Sequence, residues 1–325
     1  MTKVAIAQIA PVLLDRSATI ERAVAAIEDA GRAGASLVAF GETFVPAYPL
    51  WLARQDASRF DAADVKEIHA AYLDQAVQIG EGHLEPIQEA ARRARTTVAI
   101  GIAERAENRG GHTIYCSAVV IDDAGESRSV HRKLVPTYEE RLAWGAGDGH
   151  GLRAHRVGPF TMGVLNCWEN WMPLARSALH AQGVDLHIAL WPGCERLTKD
   201  ITRFIAREAR SYVVSASAII RPVDVPEHAP HRESWIDRDV LQGFFYDGGS
   251  CVAGPDGEWI LPPVVGKEEL LVVDLDPNVV LAERQNFDPS GHYARPDVLR
   301  LSVDRTRQGV SFNEGRAGDG PAYQP

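Results

Sequence analysis

Apolar and polar positions along the chain follow two periods. Residues 4–9 are a short apolar run of strand type. Ile20, Ala23, Val24 and Ile27 then recur at spacings of three and four, which marks one face of a helix. An apolar strand over 36–40 stops at Gly41-Glu42, Ile87, Ala90, Ala91 and Ala94 mark a second helix, and 98–103 reads as the next strand. Residues 115–121 are β-rich and meet a turn at Asp122-Asp123-Ala124-Gly125, so they predict one arm of a hairpin whose partner is 127–131. Further strands are expected at 160–165, 185–190 and 213–219, with helices over 173–182 and 202–211 between them. A second hairpin turns at Pro255-Asp256-Gly257, between 250–252 and 259–260.

Strand–helix units broken by hairpins predict an α/β fold with a mixed sheet or two packed sheets. No linker divides the chain, so residues 1–301 are expected to form a single domain. The Gly-, Arg- and Asn-rich tail over 302–325 is expected to be mobile. The stretch 222–247, rich in Pro, His and charge, reads as a long excursion from the core and a candidate surface for self-association.

Composition narrows the partners. The 325 residues allow ample core, and a net charge of −10 argues against a general nucleic-acid binder and for small or neutral ligands. Arg92, Arg93 and Arg95 are the nearest approach to a basic cluster and read as a solvated helix face. The opening run is interrupted by Gln8 and Pro11, which does not fit a signal peptide. No apolar stretch approaches the roughly 20 residues that cross a bilayer, so cytoplasmic residence without a membrane partner is expected. Cys116, Cys167, Cys194 and Cys251 are far apart with no C-x-x-C, a pattern that favours neither disulfides nor zinc. Three are expected to pack as small hydrophobes, leaving one as a candidate nucleophile.

No serine nucleophile elbow, P-loop or H-E-x-x-H helix occurs. Gly145-Ala146-Gly147-Asp148-Gly149 follows no strand and reads as a tight surface loop, and His228-Ala229-Pro230-His231 as a solvated one. What remains is Glu42, Lys133 and Cys167, each just after an expected strand, where α/β folds gather ligand groups. Together they suit attack on a poor electrophile such as a nitrile or amide carbon. A thiol ionises only near pH 8.5, so a carboxylate that takes its proton helps, and a fixed ammonium can stabilise the charge that develops.

The surrounding motifs identify a family. Phe40-Gly41-Glu42-Thr43-Phe44-Val45-Pro46-Ala47-Tyr48-Pro49 resembles the first catalytic segment of nitrilases. His131-Arg132-Lys133-Leu134-Val135-Pro136-Thr137-Tyr138-Glu139-Glu140-Arg141, running into Trp144 and the glycine-rich loop, resembles the second. Asn166-Cys167-Trp168-Glu169-Asn170 resembles the third. Leu190-Trp191-Pro192-Gly193 and the stretch from Gly291 to Asp297 are similar to later nitrilase segments.

This resemblance implies an α/β four-layer α-β-β-α sandwich carrying a triad of Glu42, Lys133 and Cys167. It also implies a second active-site glutamate, which register from Lys133 assigns to Glu140, with Glu139 turned to solvent. The implied activity is hydrolysis of an organic nitrile to the carboxylic acid and ammonia through a cysteine thioimidate and thioester. Neither a metal nor a cofactor is implied, and the assembly is a homo-oligomer, at least a dimer. Aliphatic amidase and cyanide dihydratase are the rival activities, and a non-catalytic assembly protein is the rival outside enzymes. Trp51 and Trp144 lie beside the motifs, and Tyr48, Tyr138, Trp168 and Trp191 are the expected substrate-binding residues, favouring aromatic or arylaliphatic nitriles. Cys194 is expected to line the pocket or pack in the core.

Overall fold

Two β-sheets, of six and seven strands, stack face to face in the computed structural model of the chain, which describes residues 1–236 and 243–309. The strands are β1 (Thr2–Gln8), β2 (Leu37–Ala39), β3 (Thr97–Arg105), β4 (Ile114–Ile121), β5 (Ser127–Arg132), β6 (His155–Val157), β7 (Phe160–Asn166), β8 (Leu186–Trp191), β9 (Tyr212–Ser217), β10 (Ile219–Ile220), β11 (Tyr246–Ala253), β12 (Trp259–Val265) and β13 (Glu269–Leu275). The first sheet runs β13-β1-β2-β3-β4-β5. The second runs β10-β11-β9-β8-β7-β6, with β12 on β11. In each, three central strands are parallel, β1-β2-β3 and β7-β8-β9, and the flanking ones antiparallel.

Parallel neighbours need crossover helices, and the chain supplies them. The helices are α1 (Arg16–Arg32), α2 (Trp51–Arg54), α3 (Ala63–Gln75), α4 (Glu85–Ala94), α5 (Pro173–His180), α6 (Glu195–Ala209), α7 (Arg232–Ile236) and α8 (Pro277–Glu283). On β1, Val4 and Ile6 face the opposite sheet while Ala5 and Ala7 face the apolar stripe of α1 and α4, the period-2 rule applied to a strand buried on both faces. Leu186, Ile188 and Leu190 of β8 fill the space between the sheets from the other side. Ile201, Ile205 and Ala206 of α6, and Ala175 and Leu179 of α5, cover the outer face of the second sheet. The layers are therefore α-β-β-α.

Most expected elements are present within two residues at each end, and the departures have physical reasons. Helix α6 begins at Glu195 instead of 202, because its first two turns are mostly charged or polar and only Leu197, Thr198 and Ile201 turn inward. The expected 213–219 strand splits into β9 and β10. Helix α3 is missing from the sequence reading since it buries only Ile68 and Tyr72, too few to set a period. Strand β13 was missed as well. It pairs with the whole of β1, from Thr2↔Leu275 to Gln8↔Glu269.

Two peripheral expectations are corrected. The 222–247 stretch does not stand off the core: Val225 and Ala229 are buried with Trp51 and Tyr72, and Gln55 Nε2 donates to Ser234 Oγ at 2.5 Å. Its residues 237–242 lie outside the described residues. Of the tail expected to be mobile, 303–308 are docked, with Val303 packed by Leu152 and Leu165 and Arg307 paired with the buried Asp148 at 3.0 Å. Residues 310–325 lie outside the described ones. Among the described residues no helix is long and apolar enough to cross a membrane.

The sheet positions Glu42 through a close backbone contact. After β2 the chain stays against β3, with Gly101 N–H donating to Gly41 O at 3.2 Å and Val45 N–H to Gly101 O at 3.2 Å. A Cβ on Gly101 would sit 2.3 Å from Thr43 N and 2.7 Å from Glu42 Cα, so only glycine fits. Gly101→Ala should lower stability by about 1–3 kcal/mol, the usual range for overpacking, read from the denaturation midpoint. An unchanged midpoint would mean that the Glu42 loop is free to move aside.

Candidate active site

Glu42, Lys133 and Cys167 follow the ends of β2, β5 and β7, and Glu140 sits in a single turn beyond Lys133. Glu42 N–H donates to Trp191 O at 3.0 Å, which ties the end of the first sheet to the second. Lys133 N–H donates to Cys116 O at 2.8 Å, and Gly147 N–H donates to Lys133 O at 2.8 Å. A Cβ at Gly147 would lie 2.2 Å from Arg132 O, so the glycine-rich stretch expected as a surface loop is a strap closed over the Lys133 backbone. Glu140 sits in a 3-10 turn, Tyr138–Leu142, capped by Thr137, whose N–H donates to Glu140 Oε2 at 2.6 Å. Cys167 opens a second 3-10 turn, Cys167–Trp171, at φ 47°, a left-handed conformation that lifts it out of line with β7.

The side chains converge. Lys133 Nζ donates to Glu42 Oε1 at 2.8 Å and to Glu140 Oε2 at 2.6 Å, all three groups being buried. One side-chain atom each of Glu42, Glu140 and Cys167 lie within 4.8 Å of one another. Tyr48 O–H donates to Glu140 Oε1 at 2.9 Å, and the Cys116 thiol lies 3.3 Å from Glu42 Oε1. Glu42 Oε2 is buried with no hydrogen-bond partner among the described residues. Carboxylates and a thiol in such a cluster are also metal-ligand types. Here the ammonium of Lys133 already sits between the two carboxylates, and it repels a second cation.

Two carboxylates around one ammonium leave an excess negative charge away from water. Burial pushes the Glu42 carboxyl up to about 7, against the opposing pull of Lys133. Burial by itself would depress Lys133, but Glu42, Cys167 and Glu140 hold it well above its ordinary value. Burial and the neighbouring Glu42 push the Cys167 thiol up, so it rests as S–H and needs a base to become a nucleophile. The group can accept a proton at Glu42, hold positive charge at Lys133 and attack with sulfur.

A further buried acid, Glu169, joins the nucleophile turn to the Lys133 segment, and sequence reasoning assigned it no role. It accepts from Asn166 N–H at 3.0 Å and Leu134 N–H at 2.8 Å, and meets His131 Nε2 at 2.9 Å. Burial pushes its carboxyl up, but His131 and those two N–H groups bring it below its ordinary value. The spacing Asn166-x-x-Glu169 is a capping-box signal that could have found it, as is Thr137-x-x-Glu140, which by itself separates Glu140 from Glu139.

The expected aromatic residues divide. Tyr48 is at the site, edge-on to Trp144 at 5.6 Å and to Tyr246 at 5.5 Å, and Tyr246 was not anticipated. Trp191 is wholly buried with its indole N–H on Ser215 Oγ at 3.1 Å, and it reaches Glu42 only through its carbonyl. Tyr138 and Trp168 are 81% and 47% exposed. Cys194 is half-buried at the start of α6. A cleft of about 140 Å³ opens beside the site between Tyr48, Leu52, Arg54, Glu139, Phe245 and Tyr246.

Comparison with known proteins bears on the family and the fold. Residues 3–285 match the sequence profile described as carbon-nitrogen hydrolase. A nitrilase of Pseudomonas syringae pv. syringae (strain B728a) is 35% identical over 92% of this chain and 88% of its own length. An aliphatic nitrilase of Rhodococcus rhodochrous is 31% identical over 93% and 82%. Among solved structures, a carbon-nitrogen hydrolase from Helicobacter pylori G27 superposes with a TM-score of 0.67 at 20% identity, covering 91% of this chain and 96% of that one. An amidase from Nesterenkonia sp. AN1 gives 0.64 at 18%, over 88% and 98%, and both likenesses bear on the fold alone. With matched profile, sequence relatives and fold all in agreement, the chain belongs to the carbon-nitrogen hydrolase family.

Proposed function

We propose that the protein is a nitrilase that converts an organic nitrile and two waters to a carboxylic acid and ammonia, with Cys167 as nucleophile. The observation that carries this reading is the buried Glu42–Lys133–Glu140 group beside a thiol on a strained turn, with one Glu42 oxygen unpartnered. The relatives named nitrilases favour a nitrile over an amide.

Glu42 takes the Cys167 proton as sulfur bonds to the nitrile carbon, and returns it to the nitrogen to give a thioimidate. Water then adds with Glu42 again as base, and the nitrogen leaves as ammonia. A second water hydrolyses the thioester and restores the thiol. Lys133 stabilises the negative charge at each addition. Glu140 holds Lys133, and Tyr48 holds Glu140. The Trp168 backbone N–H beside Cys167 favours the thiolate, and this is the part Trp168 plays at the reacting centre.

The substrate in this reading is aromatic or arylaliphatic. The cleft of about 140 Å³ beside Tyr48 is close to the roughly 150 Å³ cavity that holds benzene, and Tyr48 and Tyr246 present ring faces and edges. Tyr138 and Trp168, both exposed, lie outside the enclosed site, and Trp191 acts through its carbonyl. Four unpaired cysteines favour a reducing, cytoplasmic setting.

Ammonia release from benzonitrile and phenylacetonitrile should exceed that from cyanide and from the matching amides, and Cys167→Ala should abolish it with the fold intact. A quenched slow substrate should leave an adduct on Cys167, and an adduct on Cys194 or Cys116 would defeat the assignment. Glu140→Gln should cut kcat about tenfold or more, some 1.4 kcal/mol in barrier, and should do so more severely than Glu139→Gln, since Glu139 lines the cleft and does not touch Lys133. The reverse result would overturn the roles given to this pair.

The reading also makes the enzyme at least a dimer. Trp168, Trp171, Leu174 and Phe204 form exposed apolar surface along the second turn, α5 and α6, and a second copy is the occupant it suits. Light scattering should give a dimer or larger, and Leu174→Arg should shift it toward the monomer. A monomeric wild type at micromolar concentration would remove the assembly, and an unshifted variant its location.

A further inference from the structure

A second cysteine belongs to the catalytic group. Cys116 lies on β4, fully enclosed, with its Sγ 3.3 Å from Glu42 Oε1 and its carbonyl accepting the Lys133 N–H at 2.8 Å. Lys133 Nζ donates to that same Glu42 oxygen at 2.8 Å. Both donors therefore occupy Oε1, and Oε2 is the buried atom without a partner. Such an atom has a cost unless it works, since a buried acceptor left unsatisfied forfeits its hydration.

We propose that Cys116 is a positioning residue that, together with Lys133, clamps Glu42 by one carboxylate oxygen and leaves the other to receive the Cys167 proton. The clamp rests on the reading of Glu42 as the base. In the step it serves, the Cys167 S–H bond breaks, the proton goes to Glu42 Oε2 and the electron pair stays on sulfur. Cys116 is suited to donate and not to attack. Burial and the adjacent Glu42 push its thiol well up, so it stays S–H, and it lies on an extended strand, whereas Cys167 stands on a strained turn.

The groups facing Glu42 are Lys133 from the end of β5, Glu140 from its 3-10 turn, Cys116 from β4 and Cys167 from the end of β7. Tyr48, Tyr72 and Tyr246 stand around them, neutral because burial raises each phenol. Of these only Lys133 and Cys116 hydrogen-bond Glu42 and favour its ionised form. Removing the thiol donor must therefore make Glu42 harder to ionise and move the acid limb of Cys167 reactivity to higher pH.

The test is the pH dependence of Cys167 alkylation by iodoacetamide, read by peptide mass spectrometry, which needs no nitrile and so stands apart from the substrate assignment. Wild type should rise through about 7. Cys116→Ala should move that limb up by about half a pH unit or more, and Cys116→Ser, which removes similar volume but keeps a donor, should return it to the wild-type position or below. Cys116→Val fills the space without a donor and replaces the Ala comparison if that variant fails to fold. A limb that does not move in the donor-less variant, or that moves alike in Ser and Ala, overturns the clamp. A wild type with no inflection near 7 removes Glu42 as the base and the clamp with it, whatever nitriles are turned over.

Discussion

The Lys133 ammonium between Glu42 and Glu140 is the interaction on which the rest of the structure depends. Three charged groups removed from water are tolerable only if the geometry is close and the carboxylate oxygens other than the bare Glu42 Oε2 are satisfied. Here the two contacts are 2.8 and 2.6 Å, and Tyr48 and Thr137 N–H take up Glu140. Losing any one partner would strand a buried charge. The enclosure has a use: burial, with a smaller push from Glu140 and against the pull of Lys133, raises Glu42 into the range where a carboxyl can give and take a proton near neutrality.

Holding that group needs backbone precision, and the chain obtains it from glycine contacts and capped single turns. Gly101 lets the Glu42 loop lie against β3, and Gly147 lets the strap close over Lys133. Two single turns, closed by the Glu140 carboxylate on Thr137 N–H and the Glu169 carboxylate on Asn166 N–H, carry Glu140 and Cys167. Glu169 then couples them, since one carboxylate accepts N–H groups from both the Lys133 and the Cys167 segments.

The nucleophile turn is also anchored outward. Asn170 Nδ2 donates to Cys167 O at 2.9 Å, and Arg176 of α5 donates to Asn170 O at 2.8 Å while pairing with Glu208 of α6. The position of Cys167 is therefore linked by hydrogen bonds to the outer helix layer, the same layer that carries the exposed Trp171, Leu174 and Phe204. Association through that face would act on a segment one residue away from the reacting sulfur.

Local periodicity determined the strand–helix succession, because strands buried on both faces are uniformly apolar and helices α1, α4 and α5 carry clear stripes. The motifs around Glu42, Lys133, Glu140 and Cys167 picked out the groups that converge at the candidate site, three of them next to strand ends that the sequence already marks and Glu140 in the turn beyond Lys133. Weakly amphipathic α3 and the distant pairing of β13 with β1 left no local trace. Direction and enclosure were decided only by tertiary structure. Trp191 turned into the core and offered a carbonyl, Tyr246 arrived from a strand almost two hundred residues beyond Tyr48, and Cys116, an ordinary β-strand residue in sequence, met Glu42 across the sheet. Which oxygen is held and which is left bare depends on contacts between residues 74 and 91 positions apart, and no local pattern encodes such a contact.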